Sequence, residues 1–381
     1  MLEDQLKIEL QQRAEAGMRR SVNVVPPDVL DLASNDYLGL SHHPAVIAAS
    51  CAATQTYGTG ARASRLVSGN TPIHEQLEAE LAALKGCEAA LVFPSGYAAN
   101  LGVITALARS GDLILCDKRN HASLHDACQL AASRGASVRY YGTLGKLRSL
   151  LLSVDVPKKA RRFIVSDAVY SMDGDVADLP RLVRFAGEWD ATVILDDAHG
   201  TGTLGENGHG ASEWAGIEAD NSIIHIGTLS KAIGAQGGFV AGSGVLRDWL
   251  INTARPFIYT TGISPALCGA SLAALRIIRE EPQRRERLRA VQQRLVSGLL
   301  EMGYDAKLQP APIIPVIIGE APAAVALSKA LVERGIWCPA IRPPTVPEGS
   351  SRLRVTASAA LTDDEVERAL AAFKEVRSLV D

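Results

Sequence analysis

One lysine stands among small and uncharged residues in HIGTLSKAIGAQGG, residues 225–238. Charged side chains are rarely buried without a partner. Lys231 therefore reads in two ways. It is a loop residue whose ammonium reaches water, or an amine kept for chemistry, its pKa lowered by desolvation and its nitrogen able to form a Schiff base. What converges on the same place decides between them. Other polar residues recur after short apolar runs: Ser95-Gly96-Tyr97 after LVF, His121 after LILCD, Ser171 after FIVSD, Asp196 and His199 after VIL, and Thr228, Ser230 and Lys231 after IIHIG. In open parallel sheets, ligands bind outside the carboxyl ends of the strands.

The set has a chemical logic. Gly96 and Tyr97 at a helix start offer backbone N–H groups to an anion, and Thr228 and Ser230 add hydroxyl donors, which suits a phosphate. An aspartate at a buried strand end, Asp196, favours a protonated ring nitrogen. Lys231 can bond an aldehyde carbon. The His121 ring can cover a flat face. Phosphate, pyridinium and aldehyde together describe pyridoxal 5′-phosphate (PLP).

Competing patterns are weaker. His121 and His125 are four apart, as zinc-binding histidines can be, but the H-E-x-x-H glutamate is absent, so no metal is expected. DDAHG is a metal or acid pair or a cofactor anchor, and the sheet-end lysine favours the anchor. YGTGARA (57–63) mimics a dinucleotide fingerprint without a preceding apolar strand. GTLSK lacks the G-K-[ST] ending of a P-loop, and no G-x-S-x-G elbow is present. His42 and His43 read as surface residues, His74 as solvated or capping.

The elements that must position these groups are legible in outline. AALVF (89–93), DLILCD (112–117), RRFIVSD (161–167), ATVILDD (191–197), NSIIHIG (221–227) and GGFVAG (237–242) alternate with helical stretches. Near-continuous apolar strands between helices imply a mostly parallel sheet covered on both faces. In TPIHEQLEAELAALKG, Thr71 caps a helix, Pro72 suits its first turn, Gly86 ends it, and Ile73, Leu77, Leu81 and Leu84 share a face. RRERLRAVQQRLVSGLLEMG forms a long helix with Leu288, Val291, Leu295 and Leu299 on one stripe. APIIPVIIG, IWCPAI and RLRVTAS suggest strands of a smaller sheet, and Thr362 and Glu365 a capping box. The first twenty residues read as a polar helix or arm. The expected organisation is α/β: residues 1–44 an N-terminal arm joining the small domain, 45–270 a large PLP-binding domain with a seven-stranded-type, mostly parallel sheet, and 271–381 a small α+β domain.

With 381 residues the chain has room for this plan. A net charge of −3 offers nothing to nucleic acid or an anionic membrane, and no apolar run is long enough to span a bilayer. The six cysteines form no C-x-x-C pair, and the N-terminus lacks a signal-peptide core, which argues for reduced thiols and a cytoplasmic protein. A DNA-binding regulator would need an added basic module, and a nicotinamide oxidoreductase a dinucleotide fingerprint. Neither is present.

SNDYLGL, GTGARASRLVSGNTPIHEQLEAELAALKG, FPSGYAANLGV, NHASLHDA, VYSMDGD, DDAHGTG and TLSKAIGAQGG occur in one order along the chain. As a set they resemble the α-oxoamine synthases, fold-type I PLP enzymes, from about residue 8 to the C-terminus. IRPPTVPEGSSRLRVTASA (341–359) resembles the branch that condenses L-alanine with a pimeloyl thioester. The sibling activities, 2-amino-3-ketobutyrate ligase, 5-aminolevulinate synthase and serine palmitoyltransferase, are the alternative.

The resemblance implies roles. Lys231 holds the cofactor and moves protons, Asp196 pairs the pyridine nitrogen, His199 lies near the phenolic oxygen and His121 stacks. Gly96, Tyr97, Ser171, Thr228 and Ser230 contact the cofactor. Thr260 and Thr261 reach the partner subunit's phosphate, which implies a homodimer with a shared active site. Arg354 grips the amino-acid carboxylate, and Asn35 lies on the substrate side. Arg19, Arg342 and Thr345 lie near the acyl chain, with Arg20 the alternative to Arg19. Coenzyme A or an acyl carrier protein brings the thioester.

Overall fold

The computed structural model describes residues 1–15, 18–20, 22–217 and 222–380. Seven strands form the main sheet: β2 (Ala89–Phe93), β3 (Leu113–Asp117), β4 (Ser137–Tyr141), β5 (Arg162–Asp167), β6 (Ala191–Asp196), β7 (Ile223–Thr228) and β8 (Gly238–Gly242). Their order is β2-β8-β7-β6-β5-β3-β4, and β8 alone runs antiparallel to its neighbours. Four short strands, β9 (Asp305–Ala306), β10 (Ile313–Gly319), β12 (Ala340–Ile341) and β13 (Ser351–Thr356), form a second, antiparallel sheet. β1 (Leu30–Asp31) pairs in parallel with β11 (Ile336–Trp337), so the N-terminal segment is tied to the C-terminal part.

The apolar runs are continuous because the central strands are buried on both faces. Leu113 and Leu115 of β3 pack with Tyr141, Leu147 and Phe185. Ile114 and Cys116, pointing the other way, pack with Leu124, Cys128 and Phe163. Each such aliphatic side chain removed from water contributes roughly 1.5–3 kcal/mol. IWCPAI breaks into β11, which pairs with β1, and β12, which joins the second sheet; the other expected strands appear within a residue or two of their expected bounds. Asn221, expected to open one of them, lies outside the described residues, as do residues 16–17 of the expected N-terminal helix. The described part of that helix, Leu2–Glu15, buries none of its residues.

β4 and the helix Leu144–Ser153 were not anticipated. SVRYY is the edge strand, with Arg139 exposed and its neighbours half-buried, so it lacks the apolar run that marks a central strand. Of the two readings of His74, solvated or capping, the structure takes capping, with the ring fully buried. Its Nδ1 sits 3.3 Å from the Thr71 amide as part of a capping box, and its Nε2 lies 2.9 Å from the Ile263 carbonyl oxygen. The helix thus clamps the segment that carries Thr260 and Thr261. The stripe Leu288, Val291, Leu295 and Leu299 is buried as expected, and the Thr362–Glu365 capping box is formed.

The small residues around Lys231 have a structural cause. A Cβ on Gly238 would lie 2.5 Å from the Gly96 amide nitrogen, where β8 passes against the start of the helix Gly96–Leu107. Gly234, at φ +70°, would place a Cβ 2.5 Å from the Ser41 amide nitrogen. Backbone meets backbone on two sides of the lysine turn, and side chains are excluded there.

Candidate active site

Lys231 follows β7 and opens on a cavity of about 250 Å³ at the carboxyl ends of β5, β6 and β7. Its Nζ lies 2.8 Å from His199 Nε2. Burial withdraws the amine from water and lowers its pKa to about 8, against the opposing pull of Asp196. His199 is held well below the usual histidine range, first by burial and then by Lys231. It is therefore a neutral ring. Its other nitrogen, Nδ1, lies 2.6 Å from Tyr37 Oη, which donates or accepts according to the tautomer. Tyr37 is fully buried and reaches Asn35 Oδ1 at 3.0 Å.

Asp196 ends β6 with both oxygens engaged. Oδ1 accepts from the Ala198 amide at 3.0 Å and Oδ2 from Asn100 Nδ2 at 2.6 Å. Asn100 also donates to Ser123 Oγ at 2.8 Å, and that hydroxyl lies 2.7 Å from His121 Nδ1. His121 caps the helix Ala122–Ser133, and its amide donates to Asp167 Oδ2 at 2.9 Å. Burial lowers the His121 pKa, Asp196 opposing it. The aspartate, the asparagine and the stacking candidate are thus one connected network, with Asp167 beneath it.

The opposite side of the cavity is a hydroxyl-lined helix start. Ser95 caps the helix Gly96–Leu107, accepting from the Ala98 amide at 3.1 Å. Thr228 Oγ1 and Ser230 Oγ lie 2.7 Å apart. A Cβ added at Gly96 would stand 3.5 Å from Thr228 Cβ, in the space between helix start and hydroxyls. Tyr97 donates through its phenol to Asp126 and so presents its backbone rather than its hydroxyl to the cavity. A capped helix start beside two hydroxyls, a low-pKa lysine, a strand-end aspartate and the His121 ring, all on one cavity, fit PLP by the chemistry of the donor set.

Arg354 on β13 reaches across from the second sheet. Its Nε donates to the Ser171 carbonyl oxygen at 2.6 Å, one terminal nitrogen to Thr356 Oγ1 at 3.1 Å and the other to Asn35 Oδ1 at 3.2 Å. The structure therefore brings Arg354, Asn35, Tyr37 and His199 into contact beside Lys231, and Ser171 lines the same cavity. Arg342 and Thr345 lie elsewhere, on a separate pocket of about 290 Å³ with Met18, Arg20 and the Pro343–Pro344 turn. Arg20, not Arg19, forms that wall. Arg342 also borders an adjoining cleft of about 870 Å³. Thr260 and Thr261 stand on the segment between the helices Arg255–Ile258 and Pro265–Glu280, outside the Lys231 cavity wall.

Three contributors were not singled out from sequence. Tyr37 lies inside SNDYLGL, but nothing local tells its buried hydroxyl from a core phenol. Asn100 sits mid-helix, where its polarity within an otherwise apolar stretch was the available signal. Asp167 ends a strand as Asp196 does, and that parallel could have found it.

The family described as aminotransferase class I and II matches residues 27–373. An 8-amino-7-oxononanoate synthase from Mycolicibacterium gilvum is 44% identical over 376 residues, covering 98% of this chain and 96% of that protein. Among solved structures, a serine palmitoyltransferase from Sphingomonas wittichii superposes with TM-score 0.90 at 32% identity, covering 99% of this chain and 97% of the other. An 8-amino-7-oxononanoate synthase from Francisella tularensis superposes with TM-score 0.76 at 27% identity, over 91% of this chain and 97% of the other.

Proposed function

The chain belongs to the class I and II aminotransferase family, and we propose that it condenses L-alanine with a pimeloyl thioester, releasing CO₂ and the free thiol and giving 8-amino-7-oxononanoate, a step of biotin synthesis. It is a PLP-dependent acyltransferase of the kind its relatives are named for. The observation that carries the reading is the meeting of Lys231, His199, Asp196 and a hydroxyl-lined helix start around one cavity.

Bound PLP supplies an electrophilic aldehyde carbon and a ring that withdraws electrons. The chain's residues do the rest. The helix start at Gly96 and Tyr97, with Thr228 and Ser230, holds the phosphate, and His121 covers the ring. Asp196, fixed by Asn100 and the Ala198 amide, is the partner of the ring nitrogen. Arg354, already aimed by Ser171 and Asn35, takes the alanine carboxylate. Lys231, with a pKa near 8, removes the alanine α-proton and later returns a proton, His199 holding the amine in place. Arg342 and Thr345, with Arg20 in the position expected of Arg19, receive the far carboxylate of the acyl chain. That carboxylate separates a pimeloyl thioester from a long-chain acyl thioester. Coenzyme A or an acyl carrier protein carries the thioester. Thr260 and Thr261 lie outside their own chain's cavity, which supports their reaching the phosphate of a partner subunit in a homodimer. No helix among the described residues is long and apolar enough to cross a membrane.

The serine palmitoyltransferase backbone superposes more closely, but backbone likeness does not choose a substrate. Sequence identity of 44% to the Mycolicibacterium synthase against 32% to the palmitoyltransferase weighs toward alanine and pimeloyl. Mass analysis of products from pimeloyl-CoA with alanine, glycine or serine tests the reading. The alanine product, 8-amino-7-oxononanoate, should dominate; preferential use of glycine or serine would assign the chain to a sibling activity.

A further inference from the structure

Asp167 is a buried carboxyl that the reaction above does not use. It ends β5 directly opposite Asp196 on β6 in parallel register, so the two side chains leave the sheet on the same face. Adjacent strands lie about 4.8 Å apart, which sets the two residues side by side along the sheet. Asp167 Oδ2 takes the His121 amide, and the Asp167 amide donates to Asn120 Oδ1 at 2.7 Å. Oδ1 is buried and has no hydrogen-bond partner. An ionised Asp167 would leave a desolvated oxygen without a donor beside a second negative charge. The charged groups around it are Asp196 on β6, Asp117 at the end of β3 and Lys231 after β7, with the neutral Tyr170 bonded to Asp117. Two nearby acids face it and one cation.

We propose that Asp167 and Asp196 share one proton resident on Asp167, so that Asp167 donates from Oδ1 to the Asp196 carboxylate while accepting the His121 amide at Oδ2. Neighbouring carboxyls that cannot both ionise hold a proton between them in this way. Burial and the neighbouring Asp196 push the Asp167 pKa well above the carboxylate range, in agreement with the geometry. The pair then carries a single negative charge, placed on the member that faces the cofactor ring nitrogen. Asp167 is a positioning residue. It orients and stabilises the Asp196 anion and, through the same carboxyl, fixes the start of the helix that bears His121. The inference rests on the PLP reading of the cavity.

The test compares wild type with Asp167→Asn and Asp167→Ala. An amide can donate to Asp196 and accept from His121 as a neutral acid does; a methyl can do neither. Infrared spectra of the wild-type chain at neutral pH, with and without PLP, should contain the C=O stretch of a protonated carboxyl, where an ordinary carboxyl of pKa about 4 has lost it. Asp167→Asn should remove that band, and Asp167→Ser serves the assignment if the amide variant fails to fold. With ¹⁵N-labelled PLP, the ring nitrogen should stay protonated in Asp167→Asn and PLP affinity should stay within about threefold of wild type. In Asp167→Ala the affinity should fall roughly tenfold, and the ring nitrogen should lose its proton at lower pH. The proposal is overturned if the wild type lacks the band, if the band survives the substitution, or if Asp167→Asn shifts the nitrogen titration as much as Asp167→Ala. Failure of the cofactor reading itself would show separately, as an absence of borohydride-stable PLP on Lys231.

Discussion

At the ends of β5, β6 and β7, Lys231 lies against His199, and Arg354 donates to Ser171, Thr356 and Asn35. On the pocket beside the Pro343–Pro344 turn, Arg20 and Arg342 line a wall where neither guanidinium has a hydrogen-bond or ion-pair partner among the described residues. The first region holds its cations in place before any ligand arrives. The second leaves two positive charges waiting for one. Preorganised groups cost little to align when the reaction begins. An unpaired arginine instead gains most of its hydrogen bonds from the ligand, so its loss should fall on binding. The difference suggests that the cofactor site governs the chemistry and the arginine wall governs which acyl chain is accepted.

The largest expected effect lies in the preorganised region. Lys231→Ala should abolish turnover, because holding the cofactor and moving protons share one nitrogen. Borohydride reduction of the holoenzyme followed by peptide mapping should place the cofactor on Lys231 alone; a label on another lysine would remove this residue from the centre of the site.

Asp196→Asn should leave most cofactor binding in place and slow removal of the alanine α-proton. A close opposite charge shifts a pKa by about 1–3 units, so the slowing should be roughly ten- to a thousandfold. Hydrogen exchange at the alanine α-carbon measures it, and exchange at the wild-type rate would show that ring protonation does not depend on this carboxylate.

A smaller effect concerns pH. Burial lowers the Lys231 pKa to about 8, so the neutral, nucleophilic amine forms as pH rises through that value rather than through the ordinary lysine range. The rate at which the chain without cofactor takes up PLP should therefore rise to a plateau with a midpoint near pH 8. A midpoint near that of an exposed lysine would mean that the amine is solvated before the cofactor arrives.

Much of the preorganised region was legible in sequence, for a physical reason. Central strands buried on both faces give unbroken apolar runs, and the polar residues at their ends stand out against them. Asp196, His199, Thr228, Ser230 and Lys231 were found that way, and the structure gathers all five on one cavity. What the sequence hid depends on contacts made across long separations. Tyr37 reaches His199 162 positions away, and Arg354 reaches Asn35 across 319. The arginine wall was the least legible part. It is built from segments without strand periodicity, so nothing local fixes whether Arg19 or Arg20 faces Arg342, and the fold selects Arg20. β4 was missed because an edge strand need not be apolar on both faces.

The contrast between the two regions is tested most directly by a cross-comparison of Arg342→Ala and Arg354→Ala, with the Michaelis constant for the pimeloyl thioester and alanine binding followed by cofactor absorbance. A charge-assisted hydrogen-bonded pair contributes roughly 1.5–3 kcal/mol, or about ten- to more than a hundredfold in affinity. Arg342→Ala should raise the Michaelis constant for the pimeloyl thioester by about that factor and leave alanine binding nearly unchanged. Arg354→Ala should do the reverse. Acyl thioesters without the distal carboxylate should be poor substrates for the wild type and lose little more in Arg342→Ala. If both variants weaken both substrates equally, the two arginines are structural, and the division of labour between the two regions is contradicted.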